Sequence, residues 1–148
     1  MPSLTKDEIN RLLETPTIAR LATITPTGTP YIVPIWQQWD GEHAYVIPRG
    51  KARFVEHIRL NSHVALSIAD DINPSHDRVL IEGHATIEAG PVVMSGRMLA
   101  MATEMASRYG GEEGLTYLKG TLEFSRYLVC IRPQTITSWR GTWHARYR

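Results

Sequence analysis

The chain has 148 residues, with 43% apolar and 21% charged side chains, which is the size and texture of one globular domain. Sixteen basic and fifteen acidic residues leave a formal charge of +1, which excludes a generally basic nucleic-acid binder and an acidic tail protein. The single cysteine, Cys130, excludes an intrachain disulfide framework and a cysteine zinc ribbon.

Thr5-Lys6-Asp7-Glu8 fits a capping box, and Ile9, Leu12 and Leu13 repeat at helical spacing until Pro16 stops the helix. Residues 18–25 are rich in β-branched side chains, and Pro26-Thr27-Gly28 reads as a turn. Residues 31–39 form a second β-rich run, Asp40-Gly41 a hairpin turn, and residues 43–47 the return strand, giving a three-strand antiparallel meander. Pro30 and Pro34 belong on an edge, at a bulge, or where the ladder opens for a ligand, because proline lacks the amide donor.

A short helix is predicted over 51–60, with Phe54, Val55 and Ile58 on one side, then a strand over 64–69 and a polar loop over 70–77. Residues 78–88 alternate most cleanly, with Val79, Ile81, Gly83, Ala85 and Ile87 facing one way. Gly90-Pro91 is expected to open a helix carrying Met98, Ala102, Met105 and Tyr109 on one face. Gly110-Gly111 should end it, with one more short helix over 112–120. Residues 127–132 and 135–139 make a last strand pair, or one strand bent at Pro133. Six or so antiparallel strands with short helices favour a closed barrel, with a two-layer α+β sandwich as the alternative. The expected unit is a single domain over 1–148, cytoplasmic, with no signal peptide in residues 1–14 and no membrane span.

The sequence contains no glycine-rich phosphate loop and no nucleophile elbow. Its six histidines are scattered, and His57 and His63 have poor metal spacing, so no metal site is expected. His144 is the one histidine kept as an axial ligand candidate, and Cys130 is read as a small core hydrophobe. Arg49-Gly50-Lys51-Ala52-Arg53 puts three cations within five residues, between a strand and a helix start, a combination that suits a phosphate or a solvated loop. Trp36 and Trp39 precede it, while Trp139 and Trp143 lie near the other end of the chain; such rings suit a planar cofactor or core packing.

At this point the sequence resembles a known family. The segment Ile18-Ala19-Arg20-Leu21-Ala22-Thr23-Ile24, followed by Gly28-Thr29-Pro30, is similar to the first hairpin of the pyridoxamine 5'-phosphate oxidase-like flavin-binding split barrels. So are Val33-Pro34-Ile35-Trp36, Trp39-Asp40-Gly41, Pro48-Arg49-Gly50-Lys51-Ala52-Arg53, Asn61-Ser62-His63-Val64-Ala65-Leu66 and Glu82-Gly83-His84-Ala85. The likeness runs over about 18–87 and resumes weakly over 127–139. It implies a split β-barrel homodimer with two cofactors, FMN or the deazaflavin coenzyme F-420, in grooves at the subunit interface. It makes Lys51 and Arg53 phosphate ligands, with Arg49 as a further candidate. Val33, Pro34 and Ile35 would run beside the flavin ring, Thr23 and Trp36 would touch ring or ribityl chain, and Trp139 would cover the cofactor from the partner subunit. For the acidic tail of coenzyme F-420, His57, Arg59, Arg140, His144, Arg146 and Arg148 are additional candidates.

The arginine-rich substrate-phosphate signature of true pyridoxamine phosphate oxidases is missing, and the segment 91–125 matches little. The leading expectation is therefore a flavin- or deazaflavin-dependent oxidoreductase acting on a small molecule, with no side chain as covalent catalyst. The alternative is a flavin or haem carrier or sensor without turnover, and a small nucleic-acid-binding barrel is disfavoured by the near-neutral charge.

Overall fold

The computed structural model describes residues 2–141, so the readings at Trp143, His144, Arg146 and Arg148 lie outside the described residues. The first helix, α1 (Lys6–Leu13), starts as its sequence dictates. The Thr5 hydroxyl accepts from the Glu8 amide at 3.2 Å, and the Glu8 carboxylate accepts from the Thr5 amide at 2.8 Å. Its apolar face buries Leu12 and Leu13.

Seven strands follow, interleaved with two more helices: β1 (Ala19–Ile24), β2 (Pro30–Ile35), β3 (Gln38–Trp39), β4 (Ala44–Val46), α2 (Phe54–Leu60), β5 (His63–Ala69), β6 (Arg78–Val92), α3 (Gly96–Lys119) and β7 (Arg126–Trp139). The strands form one antiparallel sheet in the order β2-β1-β5-β6-β7-β4-β3. The edges β2 and β3 are joined by Trp36 and Gln37 alone. Successive Cα atoms are about 3.8 Å apart, so Ile35 and Gln38 lie within about 11 Å of each other. The sheet must therefore curl until its edges approach, yet they do not pair. The result is a split barrel, mainly β, and not the closed barrel that strand patterning alone favours.

The single expected strand over 31–39 is divided at Trp36-Gln37. Gln37 is fully buried, its side-chain amide donates to the Leu13 carbonyl at 2.7 Å, and Arg108 donates to its backbone carbonyl. Those bonds turn the chain inward and send β3 to the far edge. The prolines Pro30 and Pro34 do sit on an edge strand.

The barrel interior is packed by Leu21, Leu66, Ile68, Val79, Ile81, Val129 and Ile131, and α2 caps it with Phe54, Val55 and Ile58. A second cluster lies outside the barrel wall. There α3 lays Met98, Ala102 and Ala106 against Tyr45, Leu128 and Cys130. This explains why β4 is buried at every position: one face meets the interior and the other meets α3.

Gly90-Pro91 does not open the third helix. The strand β6 continues through both residues to Val92, because Gly90, at φ +112°, lets β7 come so close that an added Cβ would meet the Arg126 carbonyl at 2.5 Å. The helix starts at Gly96, after Ser95. Gly111 then breaks it with non-helical angles, so residues 112–119 form a distinct second segment, as the double glycine suggests. Residues 126–139 are one strand with a register shift opposite Glu82 and Gly83, the bent alternative.

Candidate functional site

Leaving β4, the chain passes through Ile47 and the buried Pro48, then turns at Gly50 and Lys51 into α2. An isolated bridge pairs Arg49 with Arg126. It is flanked by the Gly50 amide donating to the Ser125 carbonyl at 2.9 Å and the Tyr127 amide donating to the Pro48 carbonyl at 3.0 Å. In an antiparallel ladder that flanking pattern marks a non-hydrogen-bonded pair, the kind whose side chains lie closest and on one side. That side faces α3, since Tyr127, Val129 and Ile131 point into the barrel.

A cavity of about 630 Å³ opens there. Its walls are Ile35 and Trp36 from the end of β2, Ile47 to Arg49, Arg126, and both segments of α3 through Met105 and Tyr117. The second α3 segment folds back on the first at Gly111. Gly114 lies so close to the first segment that a Cβ there would meet the Ala106 carbonyl at 2.1 Å. Trp36 is held by a parallel stack on Tyr109 at 5.4 Å between ring centroids and an edge contact to Tyr117.

The cavity's polar end is cationic. Arg49 donates to the Tyr117 hydroxyl at 2.5 Å and lies over the Tyr117 and Phe124 rings. Arg126 is 8% exposed and donates to the Ile47 carbonyl at 3.3 Å and the Thr121 hydroxyl at 3.1 Å, and its enclosed Nε has no partner among the described residues. Burial works to raise the Tyr117 phenol, but hydrogen bonds from Arg49 and then Arg126 outweigh it and hold the group below the usual range.

Lys51 and Arg53 sit at the same turn, exposed, and neither forms an ion pair among the described residues. The guanidinium of Arg53 lies 5.4 Å from the Tyr31 ring centre, on the β2 side. The expected helix start at residue 51 is at Phe54 instead, and Ala52 and Arg53 carbonyls already accept from the Val55 and Glu56 amides. The backbone amides of Lys51, Arg53 and Phe54 have no partner among the described residues.

Of the sequence-derived site residues, Pro34, Ile35, Trp36 and Arg49 line this cavity. Val33 is half-buried one residue earlier on β2. Thr23 is buried on β1, where its hydroxyl lies 2.9 Å from His57 Nδ1, and it also borders a separate cavity of about 440 Å³ that includes His63 and Glu82. Trp139 is half-buried at the end of β7, with the Arg78 guanidinium 6.0 Å from its ring. Trp39 is a core residue donating to Asn10. The further cations are engaged: His57 is buried, Arg59 pairs with Glu56, and Arg140 pairs with Glu8 and Asp77. Tyr117 and Arg126 were not singled out by sequence reasoning. The available signal was alternation: Arg126 shares a face with Leu128 and Cys130, a cation on an apolar side of the strand.

A family model for pyridoxamine 5'-phosphate oxidase matches residues 5–140. No curated protein matches the chain. Among solved structures, a conserved hypothetical protein from Mycobacterium tuberculosis superposes with a TM-score of 0.74 at 23% identity, covering 93% of this chain and 85% of that one. An F-420 reductase gives a TM-score of 0.65 at 26% identity over 86% of this chain and 94% of its own. The haem storage protein HutZ from Vibrio cholerae gives 0.68 at 18% identity over 93% and 97%.

Proposed function

The chain belongs to the pyridoxamine 5'-phosphate oxidase family, and from that premise we propose that it is an oxidoreductase that uses FMN or the deazaflavin coenzyme F-420 on a small organic molecule. The observation that carries this reading is an apolar, aromatic-walled cavity of about 630 Å³ lined by Arg49, the first cation of the turn that goes on to Lys51 and Arg53, a volume within the roughly 300–1,000 Å³ usual for small-molecule sites.

The residues present fit a flavin phosphate. Among the described residues Lys51 and Arg53 form no ion pair, and the amides of Lys51, Arg53 and Phe54 beside them have no partner. The unpaired edge of β2 at Val33, Pro34 and Ile35 suits the rim of a planar ring, because the backbone there has no second strand to satisfy. The bound flavin would supply hydride transfer. The chain's part is to anchor the phosphate through Lys51 and Arg53, hold a rigid wall through Trp36 stacked on Tyr109, and keep water from the reacting face with α3.

The same reading makes the molecule a homodimer with its cofactor sites at the interface and Trp139 contributed across it. The outer sheet face supports this. Register aligns Ile32, Ala22 and Ala65 in one outward row, bordered by Ile24 and Leu80, and Ile32 is 63% exposed.

A carrier without turnover is the second reading, supported by the haem storage protein of the same fold. Among the described residues lining the large cavity there is no histidine, and the axial candidate His144 lies outside the described residues. The absorption spectrum of the purified protein tests the choice. A two-band flavin spectrum or a single deazaflavin band, bleached by a reductant and restored by a substrate, is the expected result. A Soret band, or flavin that binds and never turns over, would overturn it.

A further inference from the structure

We infer that the cationic end of the α3-walled cavity, formed by Arg126, Arg49 and the Tyr117 hydroxyl, is a subsite for the oxyanion of a small ligand whose apolar body fills the rest of the cavity. The ligand's role as substrate rests on the oxidoreductase reading; its binding rests on the cavity alone.

Two arginines stand at a closely spaced pair on one side of the ladder. Like charges directly opposite destabilise a strand pair, and burying a guanidinium without a counter-charge is costly. Yet neither arginine is ion-paired among the described residues. Glu113 also lines the cavity, but no hydrogen bond or ion pair joins it to Arg49 or Arg126. Arg126 is more than nine-tenths buried, is fixed by the Ile47 carbonyl and the Thr121 hydroxyl, and its enclosed Nε has no acceptor among the described residues. Two guanidiniums and a phenol gathered at one end of a cavity, with no carboxylate paired to them among the described residues, make a positive site that a carboxylate or phosphate would complete. Ile35, Trp36, Ala102, Met105 and Leu118 supply the apolar remainder.

Calorimetric titration of the full-length protein with benzoate, phenyl phosphate and neutral benzyl alcohol tests this. At least one anion should bind about tenfold or more tightly than the alcohol. Arg126→Met should lose about that factor for the anion and little for the alcohol. Because Arg126 is buried, the exposed Arg49→Gln provides the same test without risk to folding. Tighter benzoate assigns a carboxylate, and tighter phenyl phosphate a phosphate. Equal binding of anion and alcohol, or an anion affinity untouched by both Arg49→Gln and Arg126→Met, overturns the inference. FMN titration separates it from the flavin reading. An anion site that needs Arg49 or Arg126 in a protein that binds no flavin leaves the inference standing and the flavin reading fallen. Loss of FMN affinity, but not benzoate affinity, in Arg126→Met overturns the inference, since the pair then serves the cofactor.

Discussion

Thr23 and His57 show what a single buried polar contact does for the site. The imidazole sits inside the barrel end, edge-on to Tyr31 at 5.0 Å, with Nδ1 on the Thr23 hydroxyl. That contact ties β1 to the helix that follows the cationic turn. Thr23→Val should leave His57 short of its partner and cost about 1–3 kcal/mol, read as a lower urea midpoint with an unchanged slope. The turn itself was legible from sequence, since Arg49, Lys51 and Arg53 crowd into five residues. Arg126 and Tyr117 were not, because no local pattern links them to Arg49. Only the bridge between chain-distant residues and the fold-back of α3 bring them to it.

Among the elements, α3 gives the cavity its shape. Gly114→Ala forces a Cβ against the Ala106 carbonyl, so the two segments must part. The expected cost is about 1–3 kcal/mol of stability, with weaker binding of any ligand in the cavity, both measurable on the same purified variant. At the other end of the chain, α1 is clasped electrostatically. The Thr5 amide and then Arg140 hold the Glu8 carboxyl below its usual value. Burial raises Asp40, but the His43 and Glu42 amides outweigh it, and Asn73 lowers Asp70. A carboxyl depressed in the folded state leaves the unfolded chain binding more protons as pH falls. Its contribution is therefore complete above the ordinary carboxylate range near pH 4 and is lost as pH drops through the folded values. Chemical denaturation between pH 6 and about 3 should show stability flat at first and then falling. The capping box and the Asp40-Gly41 hairpin were readable because each is local chemistry. Gly90-Pro91 misled for the opposite reason: the glycine answers a contact with Arg126 across the sheet, which local sequence does not carry.

For the whole molecule, alternation along β6 gave the interior face residue by residue, but not how the sheet closes. The split depends on Gln37, a polar side chain whose burial is understood only once Leu13 and Arg108 are beside it. The outward row of Ile32, Ala22 and Ala65 likewise emerges only from register. If that face joins two copies, light scattering should find a dimer, and Ile32→Glu should give a monomer with weakened flavin affinity. A monomeric wild type, or a dimer indifferent to Ile32→Glu, rejects that interface.

On the proposed function, the turn after β4 anchors a flavin phosphate. Titration of the wild type and Lys51→Ala with FMN and with coenzyme F-420 tests it most directly. One of the two should bind the wild type, and Lys51→Ala should lose about 1.5–3 kcal/mol of that affinity, the worth of a charge-assisted hydrogen bond, with little change in folding stability. Equal affinity in the two proteins, or binding of neither cofactor by the wild type, would contradict it.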